Sequence, residues 1–247
     1  MKTDRHQRRF YRDWVKAKDL CLTHIMAGET DLEILSDKPI DKYFVEEKIR
    51  LYRWDIESYI DKDRRFLTAL KPLTVALDAP RIVKEMSAQA KKANVGPMAA
   101  VAGAIAEFLG KDLLKNRYKD VIVENGGDIF LKTTRKRKIG IYSGRLKLWR
   151  GLELTIKPKD TPIGICTSSG TVGHSLSFGC ADSVVVLSRN TSLADAVATA
   201  TCNRVRCRQD LQAALNFAKS ITGVLGAIII FKNNLISWGR VEFCRSA

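Results

Sequence analysis

Val121-Ile-Val-Glu-Asn-Gly-Gly-Asp-Ile-Phe-Leu-Lys132 sets two apolar runs on either side of a polar, glycine-centred break. Short runs rich in β-branched and aromatic residues, bounded by Asn, Gly and Asp, read as strands, here Val121–Val123 and Ile129–Lys132. The pattern continues outward through Lys138–Tyr142, Leu152–Ile156, Ile163–Cys166 and Ser183–Leu187. Helical periodicity then covers about Ser192–Val205 and Gln209–Ile221. Gly226–Phe231 and Leu235–Val241 close the chain as a hairpin around Lys232-Asn233-Asn234, since Asn tolerates positive φ.

Toward the N-terminus, Leu20–Met26 and Asp31–Leu35 read as two short strands joined at Gly28. Asp41–Leu70 is charged and helical, with Phe44, Ile49, Leu51, Trp54, Ile56 and Ile60 as apolar stripes. Lys71–Pro80 is a breaker, and Pro80 suits the first turn of a helix running to about Ala93. Gly96–Lys115 differs in kind: Pro97–Ala106 is made of small apolar residues, so it is expected to be buried on most faces and to allow close backbone approach. Grouped helices and hairpin strands, without strict βαβ alternation, indicate an α+β fold in one domain, residues 1–247.

The 247 residues suffice for a substantial core, and with 45% hydrophobic and 8% aromatic residues the chain is globular. No apolar run approaches the roughly 18 residues of a membrane span, and Met1–Arg12 is too basic and polar for a signal peptide. A cytoplasmic protein without membrane association is expected. The six cysteines (Cys21, Cys166, Cys180, Cys202, Cys207, Cys244) form no CxxC pair and read as small buried residues without disulfides. The net charge of +15 favours anionic partners: nucleic acid, anionic lipid or a phosphorylated cofactor. No nucleic-acid-binding signature accompanies it, so a phosphorylated small molecule is the better expectation. Arg135–Lys138 reads as a solvated hairpin tip.

Three segments hold the candidate chemistry. In Glu124–Asp128, paired Gly126 and Gly127 permit close approach of a ligand or another backbone, while Asn125 and Asp128 present polar atoms at a strand end; an ordinary β-turn would also account for them. In Thr167–Gly179, nine of thirteen residues are Gly, Ser or Thr. The amides and hydroxyls of Thr167, Ser168, Ser169, Gly170, Thr171, Gly173, Ser175 and Ser177 could cradle phosphate oxygens, or the segment could be a surface loop carrying an accessible His174. In Thr191–Thr199, Ser192 can cap a helix with Asp195 completing a capping box. The i,i+4 spacing also puts Asp195 and Thr199 on one face, where a carboxylate and a hydroxyl can share a hard cation such as Mg²⁺.

Together these segments resemble the ApbE-like superfamily, known for magnesium-dependent FAD:protein FMN transferases. Gly126-Gly127-Asp128 resembles its Asn-x-Gly-Gly-Asp strand end, with Asn125 shifted by one. Ile165–Gly170 is similar to its Ala-Thr-Ser-Gly segment, and Ala194-Asp195-Ala196-Val197-Ala198-Thr199-Ala200 to its Ala-Asp-Ala-Leu-Ala-Thr-Ala helix. Phe10–Arg12, Glu29–Leu32, Val95–Ala102 and His174–Gly179 are similar to one branch of the superfamily whose activity is not known. The resemblance implies a T-fold-like antiparallel sheet backed by helices, a homodimer or higher oligomer, and FAD or FMN with Mg²⁺. It also implies Asp195 and Thr199 as metal ligands, Asn125–Asp128 and Thr167–Ser177 as cofactor-binding, and His174 and Asp195 as catalytic. The chain departs from the transferases after His174, where Ser-Leu-Ser-Phe-Gly179 replaces Asp-Pro-Arg-Thr-Gly, so metal and phosphate binding carry over better than FMN transfer. Two other functions stay open: a sulfur-transfer or redox role in anaerobic sulfur assimilation, implied by the resemblance to that branch and using Cys166 and Cys180 at the loop ends, and a non-catalytic binding module.

Overall fold

The computed structural model describes residues 17–141, 147–149, 151–171 and 178–245. Its strands are β1 (Cys21–Ala27), β2 (Thr30–Ser36), β3 (Val121–Asn125), β4 (Asp128–Lys132), β5 (Arg137–Gly140), β6 (Leu152–Ile156), β7 (Ile163–Ser168), β8 (Ser183–Ser188), β9 (Val224–Phe231), β10 (Asn234–Gly239) and β11 (Phe243–Arg245). Eight of them form one sheet in the order β1-β2-β3-β4-β7-β8-β9-β10, antiparallel at every pairing. The other three form a smaller sheet, β11-β6-β5.

Successive residues of a strand face opposite sides, and here both sides of the large sheet are covered. Val184, Val186, Ile229 and Phe130 face a core shared with the helices. Val185, Leu187, Ile228 and Ile230 face a second core shared with Leu154 and Ile156 of the small sheet. Unbroken runs such as Val184-Val-Val result from this double burial, in place of the in–out alternation of a half-solvated antiparallel sheet. The helices, α1 (Lys42–Lys62), α2 (Arg65–Thr68), α3 (Arg81–Ala93), α4 (Val101–Lys115), α5 (Thr191–Cys202) and α6 (Leu211–Ser220), contribute to the first core only. The α+β reading holds, as three layers: helices, large sheet, small sheet.

Several expectations are corrected. Asp41–Leu70 is two helices, because the chain breaks at Asp63, whose carboxylate accepts the Arg65 N–H at 3.1 Å. The last hairpin turns on two residues, with Lys232 at φ 52° and Asn234 already in β10. Arg137 is no solvated tip: it is buried at the start of β5, where Asp19 pairs with its guanidinium at 2.5 and 2.9 Å. The small residues of Pro97–Ala106 are covered by the same chain, α4 packing on α5 and β3, so their composition does not call for a second subunit. Of the cysteines, Cys166 and Cys202 are buried, Cys180 and Cys207 are exposed, and all six are free. No single helix among the described residues is long and apolar enough to cross a membrane.

Candidate metal and phosphate site

Gly126 and Gly127 form a two-residue turn with φ of 65° and 102°, which places Asn125 and Asp128 opposite one another at its base. Asp128 lies on the same face of β4 as Phe130, toward the helices. One step beyond the Ile129–Ile165 pair, it meets Cys166, and the two side chains share a hydrogen bond. The Thr167 N–H donates to Asp128 Oδ1 at 3.2 Å, and the Gly127 N–H to Glu124 Oε1 at 2.7 Å.

The acidic wall opposite comes from α5, all of whose residues are buried. Its cap is Asn190, whose side chain accepts the Leu193 N–H at 2.7 Å; Ser192, expected as the cap, sits inside the first turn. Asp195 is therefore not part of a capping box on its own helix. Its Oδ2 accepts the Gly103 N–H at 2.9 Å, and the Ala102 N–H donates to the same carboxylate, so Asp195 caps α4 from across the interface. Only glycine fits at 103, where a Cβ would lie 2.6 Å from the Thr191 carbonyl oxygen and 2.8 Å from Asp195 Cβ. Asn125 Nδ2 donates to the Ala102 carbonyl at 3.2 Å, tying the β3–β4 turn to this helix start. Thr199, one turn beyond Asp195, is also buried.

Two buried carboxylates thus approach one another, and among the described residues neither has a Lys or Arg partner. Burial, then the charge of Asp195, hold Asp128 well above the usual carboxylate range, against the hydrogen bonds from Cys166 and Thr167. Burial pushes Asp195 up to about 7, against the Gly103 and Ala102 amides. Cys166 is fully buried, and its thiol is pushed up by burial and by the two carboxylates. Its Sγ also lies 3.3 Å from the Thr191 carbonyl. A thiol in this setting is protonated and inert, which removes the main support for nucleophilic sulfur chemistry at Cys166. Among the described residues no three His, Cys, Asp or Glu side chains converge as a metal-binding group.

The expected loop begins later than its composition implied. Thr167 and Ser168 are the last residues of β7, and Ser168 Oγ is buried without a partner among the described residues. Ser169 and Thr171 bond to each other, Thr171 N–H donating to Ser169 Oγ at 3.2 Å. The Gly170 N–H donates to the Ala181 carbonyl at 2.9 Å, and the Phe178 N–H to Asn203 Oδ1 at 2.7 Å, fixing the two ends of the segment. Gly173, His174, Ser175 and Ser177 lie outside the described residues. Ala102 and Gly103 belong to the site without having been expected; a glycine three residues after the small-residue turn, among the free amides of a helix start, was the available signal. Glu107 was also missed. It is 1% exposed, and its Oε2 accepts the Thr191 and Ser192 N–H at 2.7 and 3.1 Å while Lys111 pairs with Oε1 at 2.5 Å.

Residues 12–235 match the family described as AbpE bacteria. The UPF0280 protein of Methanospirillum hungatei is 43% identical over 218 residues, 88% of this chain and 87% of that one. The UPF0280 protein of Methanocella arvoryzae is 40% identical over 213 residues, 86% of each. This chain belongs to the ApbE-like superfamily, in its UPF0280 branch. Solved structures agree on the fold. The flavin transferase ApbE of Vibrio cholerae superposes with a TM-score of 0.57 at 15% identity, over 89% of this chain and 97% of that one. The ApbE protein of Thermotoga maritima gives 0.56 at 13%, over 92% and 97%. The resemblance read on Gly126–Asp128, Ile165–Gly170 and Ala194–Ala200 is thereby borne out at the level of family and fold.

Proposed function

We propose that this UPF0280 chain binds a pyrophosphate-bearing flavin nucleotide of the FAD class together with Mg²⁺, in the cytoplasm, as a phosphoryl-group or flavin transferase. The observation that carries this reading is the Asp128–Asp195 pair: two buried carboxylates held near each other with no Lys or Arg partner among the described residues, an arrangement a divalent ion would relieve. The donor chemistry fits Mg²⁺. Asp195, with Thr199 on the same helical face, offers hard oxygens, whereas the one sulfur nearby, Cys166, is a protonated thiol. The sparse protein shell fits too, since Mg²⁺ keeps several waters and is commonly held by one or two carboxylates and the phosphates of its ligand.

In this reading the Asn125–Asp128 turn and the Thr167–Thr171 end of β7 face the phosphates, with Ser168 Oγ free to donate. Mg²⁺, when bound, supplies charge neutralisation at the pyrophosphate. His174 is assigned proton donation to a phosphate oxygen through the family resemblance. The flavin transferases of the same fold from Vibrio cholerae and Pseudomonas stutzeri support the flavin class.

Calorimetry with FAD, FMN and inorganic pyrophosphate tests the binding. Mg²⁺ should strengthen FAD and pyrophosphate binding to the wild type and not to Asp195→Asn. Affinities that ignore both Mg²⁺ and the substitution would reduce Asp195 to a cap of α4. Chromatographic analysis of FAD incubated with the chain and Mg²⁺ separates transfer chemistry from a non-catalytic binding module, which would leave FAD intact.

A further inference from the structure

Among the described residues the large sheet ends at β10, and the first half of that strand, Asn234–Ile236, lines a slot at the sheet's edge. On one side stand Leu235 and Trp149, both packed against the core beneath the small sheet; Trp149 Nε1 donates to the Lys232 carbonyl at 3.1 Å and is pinned to the hairpin. On the other side Ile236 faces the helix-side core, and Leu211 and Gln212 at the start of α6, with Arg208 in the turn before it, line the same cleft. These walls bound a cleft of about 420 Å³.

The floor is built for pairing. In an antiparallel ladder every second residue turns its N–H and C=O away from its partner, so β10 presents outward backbone groups that no described strand pairs with. Natural edge strands carry Lys, Pro or inward-pointing charges to prevent such pairing, and Asn234-Leu-Ile-Ser-Trp-Gly239 has none of these. Among the described residues no acidic side chain lines the cleft and Arg208 has no carboxylate partner; Asp182 and Asp210 lie beside it, their carboxylates taken up by the backbone N–H groups of Lys232 and of Arg206 and Cys207. Lys232 lies over the Phe231 ring at one end of β10 and Lys219 over the Trp238 ring at the other.

We propose that this slot receives an extended acidic segment of another protein, added to β10 as a ninth strand. One row of its side chains would rest on Trp149 and Leu235 and the other on Ile236 and Leu211, with its carboxylates near Arg208, Lys219 and Lys232. Main-chain pairing supplies affinity in this mode and the alternate side chains supply selectivity. The inference does not depend on the flavin reading, because the residues involved are distinct from Asp128, Asp195 and β7.

The test titrates a fluorescein-labelled peptide of alternating Val and Glu into the full chain by anisotropy. Saturable binding is expected, weakened at least about tenfold by Arg208→Glu, an exposed position, and at least about tenfold when Lys replaces Glu in the peptide. Peptide N-methylated on the amides of one edge should lose binding, while peptide methylated on the other edge should retain it. Absence of binding up to about 1 mM, equal affinity of the Glu and Lys peptides, or indifference to methylation on both edges overturns the proposal. So does a dimer in light scattering that the peptide dissociates, since that assigns the slot to a second copy of the chain.

Discussion

The two ends of the α4–α5 interface hold buried acids in opposite circumstances. Glu107 on α4 caps α5: two backbone N–H groups donate to one oxygen and Lys111 pairs with the other. Asp195 on α5 caps α4 through Gly103 and Ala102, but what it faces is a second carboxylate, Asp128. The helices exchange caps symmetrically and differ in charge balance. The Glu107 end is complete within the chain and reads as structure. The Asp195 end carries the same amide bonds and an electrostatic deficit, which is why the proposed cation is placed there.

The largest expected effect lies at the complete end. Glu107→Ala strips two charge-assisted bonds from the start of α5 and should lower stability by about 3 kcal/mol, read from urea midpoints at constant slope. Asp195→Asn should do the opposite without metal. Asn can still accept from Gly103, and the like charge beside Asp128 is gone, so a gain of about 1 kcal/mol is expected at pH 8. A comparable loss at both positions would erase the contrast.

The second prediction uses pH. Asp195 has its folded pKa raised, so its contribution to stability is fully present below the ordinary carboxylate range and is lost as pH rises through about 7. Asp128 is shifted in the same direction. The stability of metal-free wild type relative to Asp195→Asn should therefore fall by about 1.4 kcal/mol per pH unit between about pH 5 and 7. Parallel pH profiles for the two proteins would show that Asp195 is not held up by its surroundings.

A smaller effect separates the two serviceable caps of α5. Asn190→Ala should cost about 1 kcal/mol, whereas the hydroxyl of Ser192, 3.4 Å from Glu107 Oε2, should contribute less. A loss from Ser192→Ala as large as that from Asn190→Ala would contradict Asn190 as the dominant cap.

These contrasts also mark how far the sequence could be read. Strands β6 and β8 and helix α3 were legible because period, length and flanking Pro or Gly agreed. Family motifs were legible where one short element carries them whole, as in Ala194–Ala200. Contacts between distant segments were not. Nothing near Asp195 indicates that its amide donors lie 92 residues away, and Ser192 is as good a cap by type as Asn190, so only backbone geometry decides between them. Glu107 was not singled out, because a trans cap leaves no local signature. β11 spans only three residues and owes its strand form to β6. The second layer against the large sheet was hidden for a related reason: a strand buried on both faces loses the alternation that would have assigned each residue to a side.

The central claim is that the Asp128–Asp195 end is built to be completed by a cation and a phosphate ligand. The direct measurement is the unfolding free energy of wild type and Asp195→Asn near pH 7.5, with and without saturating Mg²⁺ and inorganic pyrophosphate. The predicted result is a gain of about 2 kcal/mol or more for wild type, as mass action gives for a ligand well above its dissociation constant, and little or none for the variant. Equal gains in the two proteins, or none in either, would contradict it.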